Sequence, residues 1–381
     1  MRNRKGRKFI GILLAMALCT CCGNQIYAAD NVDLTLLREE YAAYEASFQA
    51  IEYFEDIEAQ GFTLIPDQTF PVILESFGET EVTFVSALNE RYGRLAVFIC
   101  NEAGEVLYKT NQLETNYHNS GQLKQPTKSI AAVGFHDVNH DNLTDIILIT
   151  ECVNEDGEYA GKSYKIGDVL FQSEGGFYRD WRVSDKINRF SMNKSVEFIV
   201  AYVRDGHSTE ILYNAETLEE LTDRGFQIVQ DQTYYRNFEK QGKLLVVPGT
   251  LKVAEYTIFM IYLVNEEGNI VYCFQPMGDY DNLYSFKGMA CKDMDGDGMK
   301  DLVVLTRYNG VDENGERVIY PKCDIYYQRT GGFDVDEDFQ NYYAYGEADT
   351  MEIMVQKIRE YWGWETAPES TVKLEAEVTD D

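Results

Sequence analysis

Two nine-residue stretches carry the residues best suited to chemistry. Asp137, Asn139, Asp141 and Asp145 stand at positions 1, 3, 5 and 9 of the first, and Asp293, Asp295, Asp297 and Asp301 stand at the same positions of the second. Alternate side-chain oxygens on a tightly coiled loop can converge on one hard cation, and calcium takes about six to eight oxygens at about 2.3–2.6 Å. The position-7 residue, Leu143 or Met299, can add its backbone carbonyl, with water completing the shell. Position 6 must turn sharply with positive φ, which suits Gly298 and is tolerated by Asn142. Calcium at both loops, as two structural ions, is the expected cofactor. Catalysis would require an open coordination position and an adjacent base, and the spacing displays neither.

An EF-hand opens similarly but needs a bidentate Glu at position 12 and flanking helices. Here position 12 is Leu148 or Val304, inside the apolar runs Ile146–Ile149 and Leu302–Leu305. Those runs read as buried strands, so the loops are expected between strands, with the ninth-position Asp replacing the missing Glu.

The elements around the loops recur. A shift of 164 residues pairs Gly61-Phe62 with Gly225-Phe226, Asp67-Gln68-Thr69 with Asp231-Gln232-Thr233, and Asn101 to Gly104 with Asn265 to Gly268. A shift of 156 pairs Asp137, Asp141 and Asp145 with Asp293, Asp297 and Asp301, Gln172 with Gln328, and Gly175-Gly176-Phe177 with Gly331-Gly332-Phe333. Ordered matches with few gaps imply a tandem duplication, with units at 40–204 and 205–364. Each unit should open with a helix: Phe48, Ile51, Phe54 and Ile57 recur every three residues, as do Leu212, Ala215, Leu218 and Leu221, ending at Gly61 and Gly225. Strands are expected at 82–85, 95–99, 106–108, 131–135, 145–150 and 165–171, a polar loop at 109–128, and closing helices near 194–204 and 350–361. The fold class is mainly β with a few helices, in two tandem homologous units.

The pattern of apolar strand, D-x-[DN]-x-D-[GN]-x-x-D, apolar strand resembles the FG-GAP/VCBS repeat family over about 25 residues in each unit. That resemblance implies β-propeller-like blades of exported or cell-surface proteins. It also implies one calcium held by Asp137, Asn139, Asp141, the Leu143 carbonyl and Asp145, and another by Asp293, Asp295, Asp297, the Met299 carbonyl and Asp301. Four strand groups, two per unit, are the expected count; blade number and ring closure stay open, since only two such loops occur and the terminal helices are not blade parts.

Other signals favour plain structural roles. His136 and His140 flank the first loop, but Lys292 and Gly296 replace them in the second, so they read as solvated loop residues. The acidic groups Gly278 to Asp281 and Asp334 to Asp336 read as solvated faces, and Trp362 and Trp364 as packing of the terminal helix rather than a sugar platform. No G-x-S-x-G, H-E-x-x-H or P-loop occurs. The cysteines left after residue 29 (Cys100, Cys152, Cys273, Cys291 and Cys323) are odd in number and fall at non-equivalent places in the two units, so small buried hydrophobes are expected rather than a disulfide framework.

The chain of 381 residues has 64 Asp and Glu against 34 Lys and Arg, a net charge of −30. That balance repels nucleic acid and anionic lipid. A 45% hydrophobic content is ample for a packed core. Arg2, Arg4, Lys5, Arg7 and Lys8 followed by the apolar run 9–18 read as a secretory signal, residues 1–29, cleaved near Ala28 or Ala29. Lipid attachment at Cys21 or Cys22 and an uncleaved anchor are the alternatives. Beyond that segment no apolar run reaches membrane length, and residues 365–381 read as an acidic disordered tail. The expected protein is secreted or at the cell surface, non-catalytic, calcium-binding, with a protein or glycan partner. The alternative is a secreted hydrolase of polysaccharide or phosphoester on the same scaffold.

Overall fold

The computed structural model describes residues 34–117, 127–154, 160–278, 282–312 and 314–364. The expected signal segment with Cys19, Cys21 and Cys22, the tail 365–381, His118, and Asp279 to Asp281 lie outside the described residues.

Strands dominate, in four antiparallel sheets. The first holds β1 (Thr63–Leu64), β2 (Phe70–Val72), β3 (Val82–Asn89), β4 (Arg94–Cys100) and β5 (Val106–Thr110), in the order β1-β3-β4-β5 with β2 also pairing with β3. The second runs consecutively through β6 (Thr127–His136), β7 (Asp145–Val153), β8 (Ser163–Ser173) and β9 (Gly176–Arg179). In the third, β10 (Gln227–Ile228), β11 (Tyr234–Phe238), β12 (Gly242–Val253), β13 (Tyr256–Val264) and β14 (Ile270–Phe274) take the same order as the first sheet. The fourth, β15 (Leu283–Lys292), β16 (Asp301–Val311), β17 (Arg317–Arg329) and β18 (Gly332–Val335), repeats the second.

Alternation along each strand decides how the sheets stack. Side chains of a strand point to opposite faces in turn, so an unbroken apolar run must be covered on both. In β4, Leu95, Val97 and Ile99 pack with Ile146, Leu148 and Leu170 of the second sheet, whereas Ala96, Phe98 and Cys100 pack with Tyr44, Phe48 and Ile57 of the N-terminal helices. In β7, Ile147 and Ile149 turn away from the first sheet onto Ile187 and Ile199. The third and fourth sheets pack likewise through Val246, Ile261, Leu302 and Val304. Helix Val196–Val203 lies between the halves: Ile199 and Val200 join the second sheet's core, and Phe198 and Ala201 join the third's. Helix Met351–Tyr361 covers the outer face of the fourth sheet through Met354, Val355 and Ile358. The order is therefore helices, two sheets, helices, two sheets, helices. Because helices cover the outer faces of the first and fourth sheets, those two sheets do not meet, and the described residues close no ring.

The opening helices depart from expectation. The first half has Leu34–Gln49 and then Phe54–Ala59, and the second has Ile211–Asn214 and then Leu218–Asp223. Each pair is broken where a residue bridges to the position just before a distant strand: Tyr53 to Glu105, ahead of β5, and Thr217 to Asn269, ahead of β14. Val106 donates its N–H to the Glu52 carbonyl and Ile270 to that of Glu216, both at 2.8 Å. Ile51 is buried at the break itself rather than on a helical stripe. Gly61 and Gly225 do end the helices, with φ of 84° and 92°. The segment expected as loop at 109–128 is also shorter: β5 runs to Thr110, a helical turn spans Glu114–Tyr117, and β6 begins at Thr127. The five described cysteines are free, with Cys100, Cys152 and Cys323 buried. Among the described residues no helix is long and apolar enough to cross a membrane.

Candidate metal centre

Both acidic loops lie where expected, between antiparallel strands: residues 137–144 join β6 to β7, and 293–300 join β15 to β16. Two local features shape them. Positions 4 and 6 both take positive φ, at His140 (62°) and Asn142 (66°) in the first loop and at Gly296 (85°) and Gly298 (82°) in the second. Left-handed residues at alternate positions coil the chain so that the intervening side chains turn inward. Position 2 is an apolar plug: Val138 and Met294 are fully buried beneath their loops, in the cores that face the helices.

The coil is held by its own carboxylates. Asp293 accepts N–H bonds from Gly296 at 2.8 Å and Gly298 at 3.0 Å. Asp295 accepts from Asp297 at 3.2 Å, and Asp297 from Met299 at 2.8 Å. The first loop repeats this, with Asp137 accepting from Asp141 at 3.2 Å and Asn142 at 3.0 Å, and Asp141 accepting from Leu143 at 2.8 Å. Asn139 takes the third position: its carbonyl accepts the Asp141 N–H at 3.2 Å, and its amide donates to Asp141 Oδ2 at 2.9 Å.

In the second loop one oxygen from each of Asp293, Asp295 and Asp297 lies within 4.8 Å of the others. Ligands at calcium distances sit at most about 5 Å apart across the ion, twice the bond length. The span of the three carboxylates is therefore compatible with one calcium shell, and their hard oxygens suit calcium better than zinc. The first loop offers Asp137 and Asp141 with a neutral Asn139, one negative charge fewer on the same backbone frame. Among the described residues no His joins a group of three metal-capable side chains.

The ninth-position carboxylates are placed differently. Asp145 and Asp301 are fully buried and clamp the loop to the sheet. Asp301 accepts from Met294 N–H at 2.7 Å and Gln328 N–H at 2.9 Å, and Asp145 from Val138 at 2.9 Å and Gln172 at 2.8 Å. Asp301 stands outside the close carboxylate group. Burial pushes its pKa up to about 7, against those N–H bonds and with the charges of Asp295 and Asp297. Asp145 is raised for the same reasons, burial first, then Asp141 and Asp137.

A polar bracket behind each loop was not among the expected site residues. Gln172 donates its amide to the Thr144 carbonyl at 2.8 Å, and its oxygen accepts the Ser76 N–H at 2.8 Å. Glu75 accepts from Thr144 N–H at 2.8 Å and Oγ1 at 3.0 Å. The second half matches it: Gln328 donates to the Lys300 carbonyl at 2.9 Å and accepts from Lys240 N–H at 2.9 Å, and Glu239 accepts from Lys300 N–H at 2.9 Å and from its ammonium. Burial works against the charge of Glu239, but Lys300 and Gln328 outweigh it and hold its carboxyl down at about 2. The paired glutamines were visible in the repeat, and Glu75 and Glu239 stand at the same 164-residue shift.

The remaining acidic and aromatic candidates have structural roles. Asp336 accepts from Asp338 and Phe339 N–H groups, both at 3.0 Å, and from the Tyr327 hydroxyl at 2.8 Å, fixing the turn before helix Phe339–Tyr342. Trp362 donates its indole N–H to the Tyr327 hydroxyl at 2.7 Å. Trp364 packs against the second loop, where a methyl added at Gly296 would lie 2.9 Å from its Nε1.

The chain matches no protein-family model and no curated protein sequence. The likeness to FG-GAP/VCBS repeats therefore rests on the loops and their flanking strands.

Proposed function

We propose that the chain is an exported, non-catalytic calcium-binding module that engages a protein or glycan at the cell surface. The observation that carries this reading is the convergence of Asp293, Asp295 and Asp297 within 4.8 Å. A second loop of the same backbone conformation stands at the matching place in the other half. Each loop takes one calcium, the position-7 carbonyls of Leu143 and Met299 completing the protein's share of ligands. The ninth-position Asp145 and Asp301 anchor the loops to the sheets from beneath.

In this reading the two halves are tandem copies of one unit, akin to FG-GAP/VCBS repeats, and the four sheets correspond to blades that stack rather than close. What supports it is the identical strand order of the paired sheets and the repeated Glu–Gln–Asp bracket. The basic and apolar N-terminal segment supports export, and extracellular modules commonly bind calcium at about 10⁻⁴–10⁻³ M. The acidic surface favours a protein or glycan partner over nucleic acid.

Equilibrium dialysis tests the ion, with one calcium per loop expected. Protein and glycan arrays test the partner: saturable binding lost on chelation is expected. Dialysis showing no bound calcium at millimolar concentration overturns the reading.

A further inference from the structure

The two loops differ in what faces their carboxylates. β17 ends at Arg329, which pairs with Gly332 across a tight turn. Its register partner in the first half is Ser173, which pairs with Gly176 and turns its hydroxyl onto its own turn, 3.4 Å from the Gly176 carbonyl. Arg329 instead reaches the acidic loop. Nη2 lies 2.9 Å from Asp295 Oδ2, Nη1 lies 3.1 Å from Asp297 Oδ2, and Nε lies 3.3 Å from Asp334. Nη1 also donates to the Gln328 carbonyl at 2.8 Å, which fixes the fork. The Asp295 side chain is only 6% exposed and that of Arg329 32%, so water screens the pair poorly.

We propose that Arg329 is a built-in counter-ion that competes with calcium for the carboxylates of the second loop and so sets that loop's affinity. The proposal rests on the calcium reading above. A guanidinium spanning two carboxylates satisfies, by charge and by hydrogen bonds, the same oxygens a divalent ion needs. Calcium must either displace the fork or bind beside a fixed positive charge, and both oppose binding. The same contact offsets repulsion among Asp293, Asp295, Asp297 and Asp301 when no ion is bound, because removing one partner of a poorly hydrated pair leaves its charge uncompensated. The first loop needs no such device: Asn139 replaces a charge with an amide that donates to Asp141. The loop richer in carboxylates is thereby held back from a proportionally tighter grip.

Removing Arg329 should therefore move two quantities in opposite directions. The chelated protein becomes less stable, while calcium binds the second loop more tightly. A residue that merely packed would weaken both.

The test uses the full chain carrying Asp141→Ala, which silences the first loop so that heat on adding calcium chloride reports the second. Against that parent, Arg329→Ser and Arg329→Gln are titrated and melted in chelator. Gln retains hydrogen-bond donors without charge and serves if the serine variant folds poorly. The expected result is calcium binding roughly tenfold tighter, equivalent to about 1.4 kcal/mol, with a lower chelated melting temperature. Equal or weaker binding by both variants, with heat still evolved, overturns the counter-ion role and leaves the calcium reading standing. No heat from parent or variants overturns the calcium reading and this proposal with it.

Discussion

Arg359 donates two hydrogen bonds to the backbone carbonyl of Asp293, from Nε at 3.1 Å and Nη2 at 2.9 Å. The first residue of the second acidic loop is thus tied to the last turn of the terminal helix. The same guanidinium stacks over Trp364, 4.5 Å from the ring centroid, and that indole lies against Gly296 at the loop's fourth position. Any shift of the loop passes directly to an aromatic reporter.

Calcium should therefore change tryptophan fluorescence, and the change should vanish in Trp364→Phe but persist in Trp181→Phe. A signal indifferent to Trp364→Phe would separate the terminal helix from the loop.

Gly296 and Gly298 tell the same story through backbone strain. Both take positive φ, and a side chain at Gly296 would also collide with Trp364. Gly296→Ala should cost more than the ~1–2 kcal/mol of left-handed strain alone, whereas Gly298→Ala, with open space around it, should cost about that. Equal melting temperatures for wild type and both variants in calcium would mean the coil is not required.

The buried clamp yields a calcium-independent effect. Asp301→Ala strands the Met294 and Gln328 N–H groups beneath the loop, each unmet donor costing about 1–3 kcal/mol. The variant should melt lower even in chelator, and Asp145→Ala likewise. Asp297→Ala, by contrast, should mainly remove the calcium-dependent share, about 1.4 kcal/mol when free calcium is ten times the dissociation constant. A chelated melt unchanged by Asp301→Ala contradicts the clamp.

A pH effect follows from a broken symmetry between the halves. On β8, Asp168 is buried but met by Arg179 Nε at 2.9 Å, Ser184 Oγ at 2.6 Å and Glu114 N–H at 2.8 Å. Its equivalent on β17, Asp324, has Val335 where Arg179 would be, and its Oδ1 has no hydrogen-bond partner among the described residues. Burial pushes Asp324 up to about 7 from 3.8, with Lys322 and the Met277 N–H opposing it only in part. A folded pKa above the unfolded one means the folded state holds the proton more tightly. Its contribution to stability is complete below about pH 4 and is lost as pH rises to about 7. Asp324→Asn should flatten stability across that window, read as urea midpoints at several pH values; an unaltered slope would place the carboxyl's titration elsewhere.

Much of this was legible in the residues because the decisive chemistry is local. Carboxylate spacing, the turn at Asn142 and Gly298, and the apolar runs after each loop all sit within a dozen residues, and runs of β-forming residues, read through the repeat, located strands of the four sheets. What escaped detection depends on distant partners. The helical stripe through Phe48, Ile51, Phe54 and Ile57 is broken because Tyr53 bridges to Glu105, a contact that periodicity cannot express. The bracket joins Glu75 to Thr144 and Ser76 to Gln172 across 69 and 96 residues, and only comparison of the two halves carried a trace of it. Position 4 of the loop announces itself as Gly296 in one half, but His140 conceals the same conformation in the other. Arg329 left no repeated signal, since Ser173 stands in its place.

Isothermal titration of the chain with calcium chloride at neutral pH tests the central claim most directly. Two binding events are expected by millimolar calcium, one abolished by Asp141→Ala and the other by Asp297→Ala. No heat at millimolar calcium, or heat untouched by either substitution, would contradict the assignment of these loops as calcium sites.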